Sequence, residues 1–216
     1  MSINEMLIYG TILIAILITM AGVWKNVPIY KCIIIALAEM IVGTIGTVVM
    51  SYIETGHIGR SYYGAVFLIP LIMPLLAKPL KMKIGKVMDF SAIGAIFVLV
   101  IMKYGCYMNK CCGGKIIAYD QFGDEIFFPS QIVEGFMALL IGMMLLIILY
   151  RDMYSNRLYP LYMIAYGASR FVLNFFRKTK PFILFVTYGH LWSILSILIG
   201  IAWIYALEKR GLNNEK

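Results

Sequence analysis

Leu158-Tyr159-Pro160-Leu161-Tyr162-Met163-Ile164-Ala165-Tyr166-Gly167-Ala168-Ser169-Arg170-Phe171-Val172-Leu173-Asn174-Phe175-Phe176 is an apolar run with one permanent charge inside it. A helix needs roughly 20 such residues to cross the hydrocarbon of a bilayer. A guanidinium near the centre of that helix costs roughly 2.5–3.5 kcal/mol on insertion scales, so a chain keeps it only where it is paired, faces a wet cavity or grips an anion. On a helix, Tyr166, Arg170, Asn174 and Arg177 fall on one face. That polar stripe is the strongest functional signal in the sequence.

The rest of the chain agrees with a membrane setting. Of 216 residues, 62% are hydrophobic and 14% charged, and the mean hydropathy is +0.86. Soluble domains carry roughly 25% charged residues. A net charge of +8 would suggest nucleic acid in a soluble protein; in a membrane protein it reflects topology and anionic lipid, and no nucleic-acid partner is expected. Met1–Met6 carries Glu5 and no basic residue, so the first apolar block reads as a retained helix and not as a cleaved signal peptide.

The expected fold class is all-α: one polytopic membrane domain over residues 1–216, with about seven spans. They run Met6–Trp24, Ile33–Ile53, Tyr62–Ala77, Met88–Tyr104, Ile132–Tyr150, Leu158–Phe176 and Phe182–Leu207. Pro70 and Pro74 interrupt the third and Pro160 opens the sixth. With the N-terminus outside and the C-terminus inside, eleven Lys and Arg residues fall inside, among them Lys25, Lys31, Lys81, Lys83 and Lys86. Seven fall outside, among them Lys103 and Arg177, and Arg170 completes the nineteen. The longest loop, 106–131, is outside.

Each ionisable group in or near a span is a functional candidate. Glu134 follows Phe128-Pro129-Ser130-Gln131. It reads either as a first-turn carboxylate favoured by the helix dipole, with Ser130 and Gln131 as caps, or as the partner of Arg170. Lys103 reads as a lysine snorkelling to the interface or as one of the cations gathered on a phosphate by the glycine-rich run to Lys115. Glu39 either pairs with Arg170 or hydrogen-bonds as the neutral acid. His190 reads first as a hydrogen-bonded structural residue, and His57 as a solvated loop residue. Cys106, Cys111 and Cys112 have no zinc-ligand spacing; they read as small residues at a helix end, or as a disulfide in an oxidising compartment. No metal or cofactor is expected.

The order of the motifs carries a resemblance. Ile8-Tyr9-Gly10 lies in span one and Tyr62-Tyr63-Gly64-Ala65 opens span three. Gly105-Cys106-x-x-Asn109-x-Cys111-Cys112-x-Gly114 ends span four, and Pro129-Ser130-Gln131-x-x-Glu134 opens span five. Tyr166-Gly167-x-x-Arg170-Phe171-x-x-x-Phe175-x-Arg177 lies in span six and Tyr188-Gly189-His190-x-x-Ser193 in span seven. The chain resembles the bacterial phosphatidylglycerol–prolipoprotein diacylglyceryl transferases over nearly its whole length.

That resemblance implies a multi-pass enzyme of the bacterial cytoplasmic membrane. Its partners would be phosphatidylglycerol and the lipobox of a prolipoprotein. The enzyme would move a diacylglyceryl group to the lipobox cysteine thiol and release glycerol phosphate. By the same resemblance Arg170, Tyr63, Tyr9 and Glu134 are the catalytic candidates. Lys103, Asn109, Gly114, Arg177 and His190 are the substrate-binding ones. A cation clamp on phosphate would stabilise the leaving anion, and the acceptor thiol needs a base.

The chain departs from the family's pattern at several positions. Lys103 stands for the usual Arg and loses bidentate recognition. Tyr63 stands for the frequent His and is a weaker base at neutral pH. Asn174 replaces a glutamate, His190 a glutamine, and no arginine lies near Gly43–Gly46. Two other readings follow: a diverged paralogue serving another acceptor, and a non-catalytic protein that binds anionic lipid or a partner helix. A small transporter is disfavoured, since no inverted repeat is visible.

Overall fold

The computed structural model describes residues 25–110, 113–154, 156–178 and 186–214. The expected first span and Tyr9 therefore lie outside the described residues. Six helices follow: α1 Ile29–Thr55, α2 Tyr62–Ile72, α3 Ile84–Met108, α4 Ser130–Tyr150, α5 Leu158–Asn174 and α6 Tyr188–Asn214. The ends agree with the expected spans to within four residues, except at α6 and at the end of α2, which stops at Ile72, five residues before Ala77, with a 3-10 turn following. α6 starts at Tyr188, not Phe182; residues 179–185 lie outside the described set.

Local chemistry sets several boundaries. α1 starts after Pro28 and ends at Gly56, whose φ of 70° lets its N–H turn back to Tyr52 O at 2.8 Å. α2 carries Pro70 and gives way to a 3-10 turn over Met73–Leu76. The break follows because proline lacks the N–H that an α-helix needs. Pro129 occupies the cap position of α4 and makes no side-chain cap bond, so Ser130 and Gln131 sit inside its first turn and not at the cap.

Four described helices are long and apolar enough to cross a membrane: α1, α3, α4 and the Tyr188–Arg210 part of α6. α5 has 17 residues, about 26 Å at 1.5 Å per residue, just short of a full hydrocarbon core. The all-α expectation needs one amendment. The long loop between α3 and α4 folds an antiparallel hairpin, β1 Ile116–Tyr119 with β2 Glu125–Phe127, turned by the Asp120 carboxylate accepting from Phe122 N and Asp124 N, both at 2.8 Å.

α3 is the central post. Its residues from Val87 to Phe97 are continuously buried, whereas α1 turns Ile41, Ile45 and Tyr52 outward at 52–61% exposure. In lipid the outward faces need no cover, and association rests on close packing and interhelical hydrogen bonds. Gly46 of α1 and Gly64 of α2 supply that closeness: a Cβ on Gly46 would sit 2.7 Å from the Gly64 carbonyl carbon. This contact brings Tyr62 and Tyr63 down into the bundle, where Tyr62 donates to Ala95 O of α3 at 2.5 Å. On the other side, a Cβ on Gly167 of α5 would meet Ser193 O of α6 at 2.9 Å.

Candidate active site

Three cationic side chains meet on one carboxylate oxygen, that of Glu134. Arg170 Nη1 donates to Glu134 Oε2 at 2.5 Å, Arg177 Nη1 at 2.9 Å, and Lys103 Nζ lies at 3.0 Å. Each arrives by a different route. Lys103 comes from the last turns of α3 and Glu134 from the first turn or so of α4; Gly135, whose Cβ would lie 3.4 Å from Lys103 Cβ, lets these helices close. Arg170 comes from the end of α5.

Arg177 lies past the end of α5 and is held by backbone. It bridges Gly114, Lys115 N donates to Phe176 O at 2.8 Å, and Gly114 N donates to Phe128 O at 3.1 Å. Phe128 and Phe176 stack with centroids 5.0 Å apart. The long loop between α3 and α4 is thereby tied to the segments that carry Glu134 and Arg177. Gly114 is glycine because a Cβ there would lie 2.7 Å from Phe128 Cβ.

Among the described residues, three cations face the single carboxylate of Glu134. The geometry is graded: Glu134 keeps 3% of its side-chain surface exposed, Lys103 10%, Arg177 11% and Arg170 13%. The acid is the most buried of the four, and Lys103 is buried with it while the two arginines keep a small accessible surface. Arg170 is therefore bound to an acid yet not sealed away, and an arriving anion would meet guanidinium and ammonium N–H groups first. Of the two readings of Glu134, the structure carries the second. For Lys103, snorkelling is replaced by an ion pair.

The neighbouring polar groups form a second layer. The Tyr63 hydroxyl pairs with Ser193 Oγ at 2.6 Å, and Ser193 Oγ donates to Gly189 O at 2.6 Å. Tyr63 packs on Tyr166 at 5.5 Å between centroids, within electrostatic reach of Arg170 and Glu134. His190 Nδ1 faces Thr187 N at 3.2 Å and Thr187 Oγ1 at 2.9 Å, and its ring sits edge-on to Phe171 and Phe175. That is the structural role first read for it. Asn174 is buried against Gly189. Asn109 is exposed at the cap of α3 and makes no side-chain bond among the described residues.

Glu39 does not pair with Arg170. Both its oxygens are buried without a hydrogen bond among the described residues, and they pack on Gly94 of α3. One determinant went unremarked in the sequence. Asp89 accepts from Leu158 N at 2.9 Å and Asn156 N at 2.7 Å. It thus caps α5 from α3 and fixes the helix that carries Arg170. An acid just inside an apolar span was the available signal.

Helices of membrane-crossing length around a buried, cation-rich cluster define a class: helical membrane proteins with a charged site inside the bundle. The profile of the prolipoprotein diacylglyceryl transferase family matches residues 5–206, and the chain belongs to that family. Among similar proteins are the phosphatidylglycerol–prolipoprotein diacylglyceryl transferases of Campylobacter curvus and Campylobacter lari. The first is 30% identical over 161 residues, covering 70% of this chain and 59% of the relative. The second is 29% identical over 151 residues, covering 66% and 56%. That of Wolinella succinogenes is 28% identical over 163 residues, covering 70% and 59%. The match thus spans less than two thirds of these relatives' own length.

Proposed function

We propose that this protein is a diacylglyceryl transferase acting on phosphatidylglycerol and on the lipobox cysteine of exported prolipoproteins. The observation that carries the reading is the sharing of Glu134 Oε2 by Arg170, Arg177 and Lys103, with the three cations a little less buried than the acid. A lipid phosphate entering there replaces the missing negative charge. Arg170 and Lys103 hold it, Arg177 closes it from the loop, and Glu134 holds the three mutually repelling cations together and in place.

In the reaction the acceptor sulfur forms a C–S bond to the diacylglyceryl carbon as the bond from that carbon to the phosphate oxygen breaks. The electron pair leaves with glycerol phosphate, whose charge the cations stabilise. The thiol proton passes to a base, because the thiolate is the nucleophile. Tyr63, with Ser193 behind it, shapes the thiol side, and Tyr9 is assigned there through its motif alone. Asn109, Gly114 and His190 border the lipid headgroup. The whole chain forms one transmembrane domain of seven spans in the bacterial cytoplasmic membrane, N-terminus out and C-terminus in.

A second reading, a member that binds anionic lipid without transfer, is favoured by Lys103 and Asn174 in place of Arg and Glu. One experiment separates the two. Purified protein, phosphatidylglycerol and a lipobox peptide are incubated and the peptide is weighed by mass spectrometry, with Arg170→Gln alongside. The transferase reading expects the diacylglyceryl adduct from the native chain and its loss in the variant. Lipid retained with no adduct selects the binder.

A further inference from the structure

Far from Glu134, the segments around Lys31 and Lys81–Lys86 come together beside Asn156. They enclose a cavity of about 390 Å³, lined by Lys31, Lys81, Lys83, Lys86, Asn26 and Asn156 with a few apolar neighbours. None of its lining residues is acidic. None of the four lysine side chains makes an ion pair or hydrogen bond among the described residues; Lys25 next to them pairs instead with Asp152 at 2.9 Å.

Two helix N-termini open on the same space. Pro28, which precedes α1, and Lys83, which precedes α3, both line it. Neither helix has a side-chain cap or an acidic residue in its first turn. Their first N–H groups lack side-chain acceptors, and the positive ends of both helix dipoles add to the lysines. Asn26, Lys81 and Asn156 hold left-handed φ values of 56°, 48° and 65° around it, conformations that persist where the surrounding structure imposes them.

The position names the ligand class. Lys86 and Lys103 lie on the same helix seventeen residues apart, about 26 Å, close to the thickness of a hydrocarbon core. The cavity thus faces one leaflet and the Glu134 cluster the other. Ile29, Tyr30 and Ile84 beside the lysines are 54%, 60% and 56% exposed. A soluble phosphate would use only the cations, whereas a lipid uses cations and apolar surface together.

We infer that this cavity holds the phosphate-bearing headgroup of an anionic phospholipid from the leaflet opposite the Glu134 cluster, with its acyl chains along Ile29, Tyr30 and Ile84. The site uses no residue of the Glu134 cluster and stands apart from the proposed transfer chemistry.

The test uses the full chain in nanodiscs of phosphatidylcholine doped with phosphatidylglycerol, with retained lipids counted by native mass spectrometry. Lys31, Lys81, Lys83 and Lys86 are changed together to Gln, and together to Arg as a charge-keeping control. Each basic residue near an anionic surface is worth roughly a fivefold change, so occupancy of one phosphatidylglycerol falls at least about tenfold in the Gln variant and survives in the Arg variant. Arg170→Gln leaves that lipid in place. If the fourfold variant fails to insert, Lys81→Gln with Lys83→Gln, both on an exposed loop, gives a smaller loss in the same direction. Equal retention in the Gln and native proteins overturns the site. Loss in the Arg variant as well, or displacement of the lipid by millimolar inorganic phosphate, overturns the lipid assignment.

Discussion

Replacing Glu134 by Gln removes the carboxylate that three cations share. All three nitrogens lie within 3.0 Å of one oxygen, so no two of them are more than about 6 Å apart. At an effective dielectric constant of about 20, a pair of unit charges at 6 Å repels by roughly 3 kcal/mol, and one at 4 Å attracts by roughly 4 kcal/mol. With Glu134 present, three attractions of about 4 kcal/mol outweigh three repulsions of about 3 kcal/mol. With Gln, only the repulsions remain, about 9 kcal/mol before water and counterions relax them. Removing one partner of a buried ion pair ordinarily costs 3–5 kcal/mol, and that is the expected loss here. The assay is thermal unfolding in nanodiscs followed by tryptophan fluorescence, in zwitterionic lipid and again with phosphatidylglycerol. Glu134→Gln should melt far below the native chain in the first. In the second it should recover part of the difference, because the lipid phosphate supplies the missing charge. A loss under about 1 kcal/mol, or the same loss in both lipids, would refute the view that the cluster is a cation excess awaiting an anion.

Three other substitutions probe the frame around it. Tyr63→Phe removes one hydroxyl from the Ser193 pair and should cost about 1 kcal/mol of stability; Tyr63→His should keep or raise peptide lipidation, and loss of the adduct would argue against a shared role with imidazole. Asp89→Ala strands the N–H groups of Asn156 and Leu158 and should cost about 3 kcal/mol. It should also lower lipidation through Arg170 without contacting lipid, and Asp89→Asn should restore part of both. Glu39→Met replaces a buried carboxyl that has no hydrogen bond with an apolar group of similar length, so melting should stay level or rise. A fall in lipidation at unchanged stability would instead place Glu39 in the chemistry.

Membrane residence, helix lengths and the candidate cations were legible in the sequence. Apolar blocks of fixed length have few alternatives in lipid, where backbone polar groups must bond within a helix or a closed barrel. The interruption at Pro70 and Pro74 was legible for the same reason, since a missing N–H is a local fact. Arg170 announced itself by its cost. The hairpin over Ile116–Tyr119 and Glu125–Phe127 was not legible, because its strands are short and exposed on both faces and so leave no alternating pattern. Nor was the partner of Arg170: Glu39 and Glu134 were equally plausible in one dimension. Only packing separated them, by seating Glu39 on Gly94 and closing α3 on α4 at Gly135. The sequence by itself determined that charges are buried in this bundle, since burial of a charge follows from the residues flanking it. Which charges meet, and that three cations converge on one acid, was decided by tertiary structure, because electrostatic energy depends on distances of a few ångströms, here between Glu134 and cations 31 to 43 positions away along the chain.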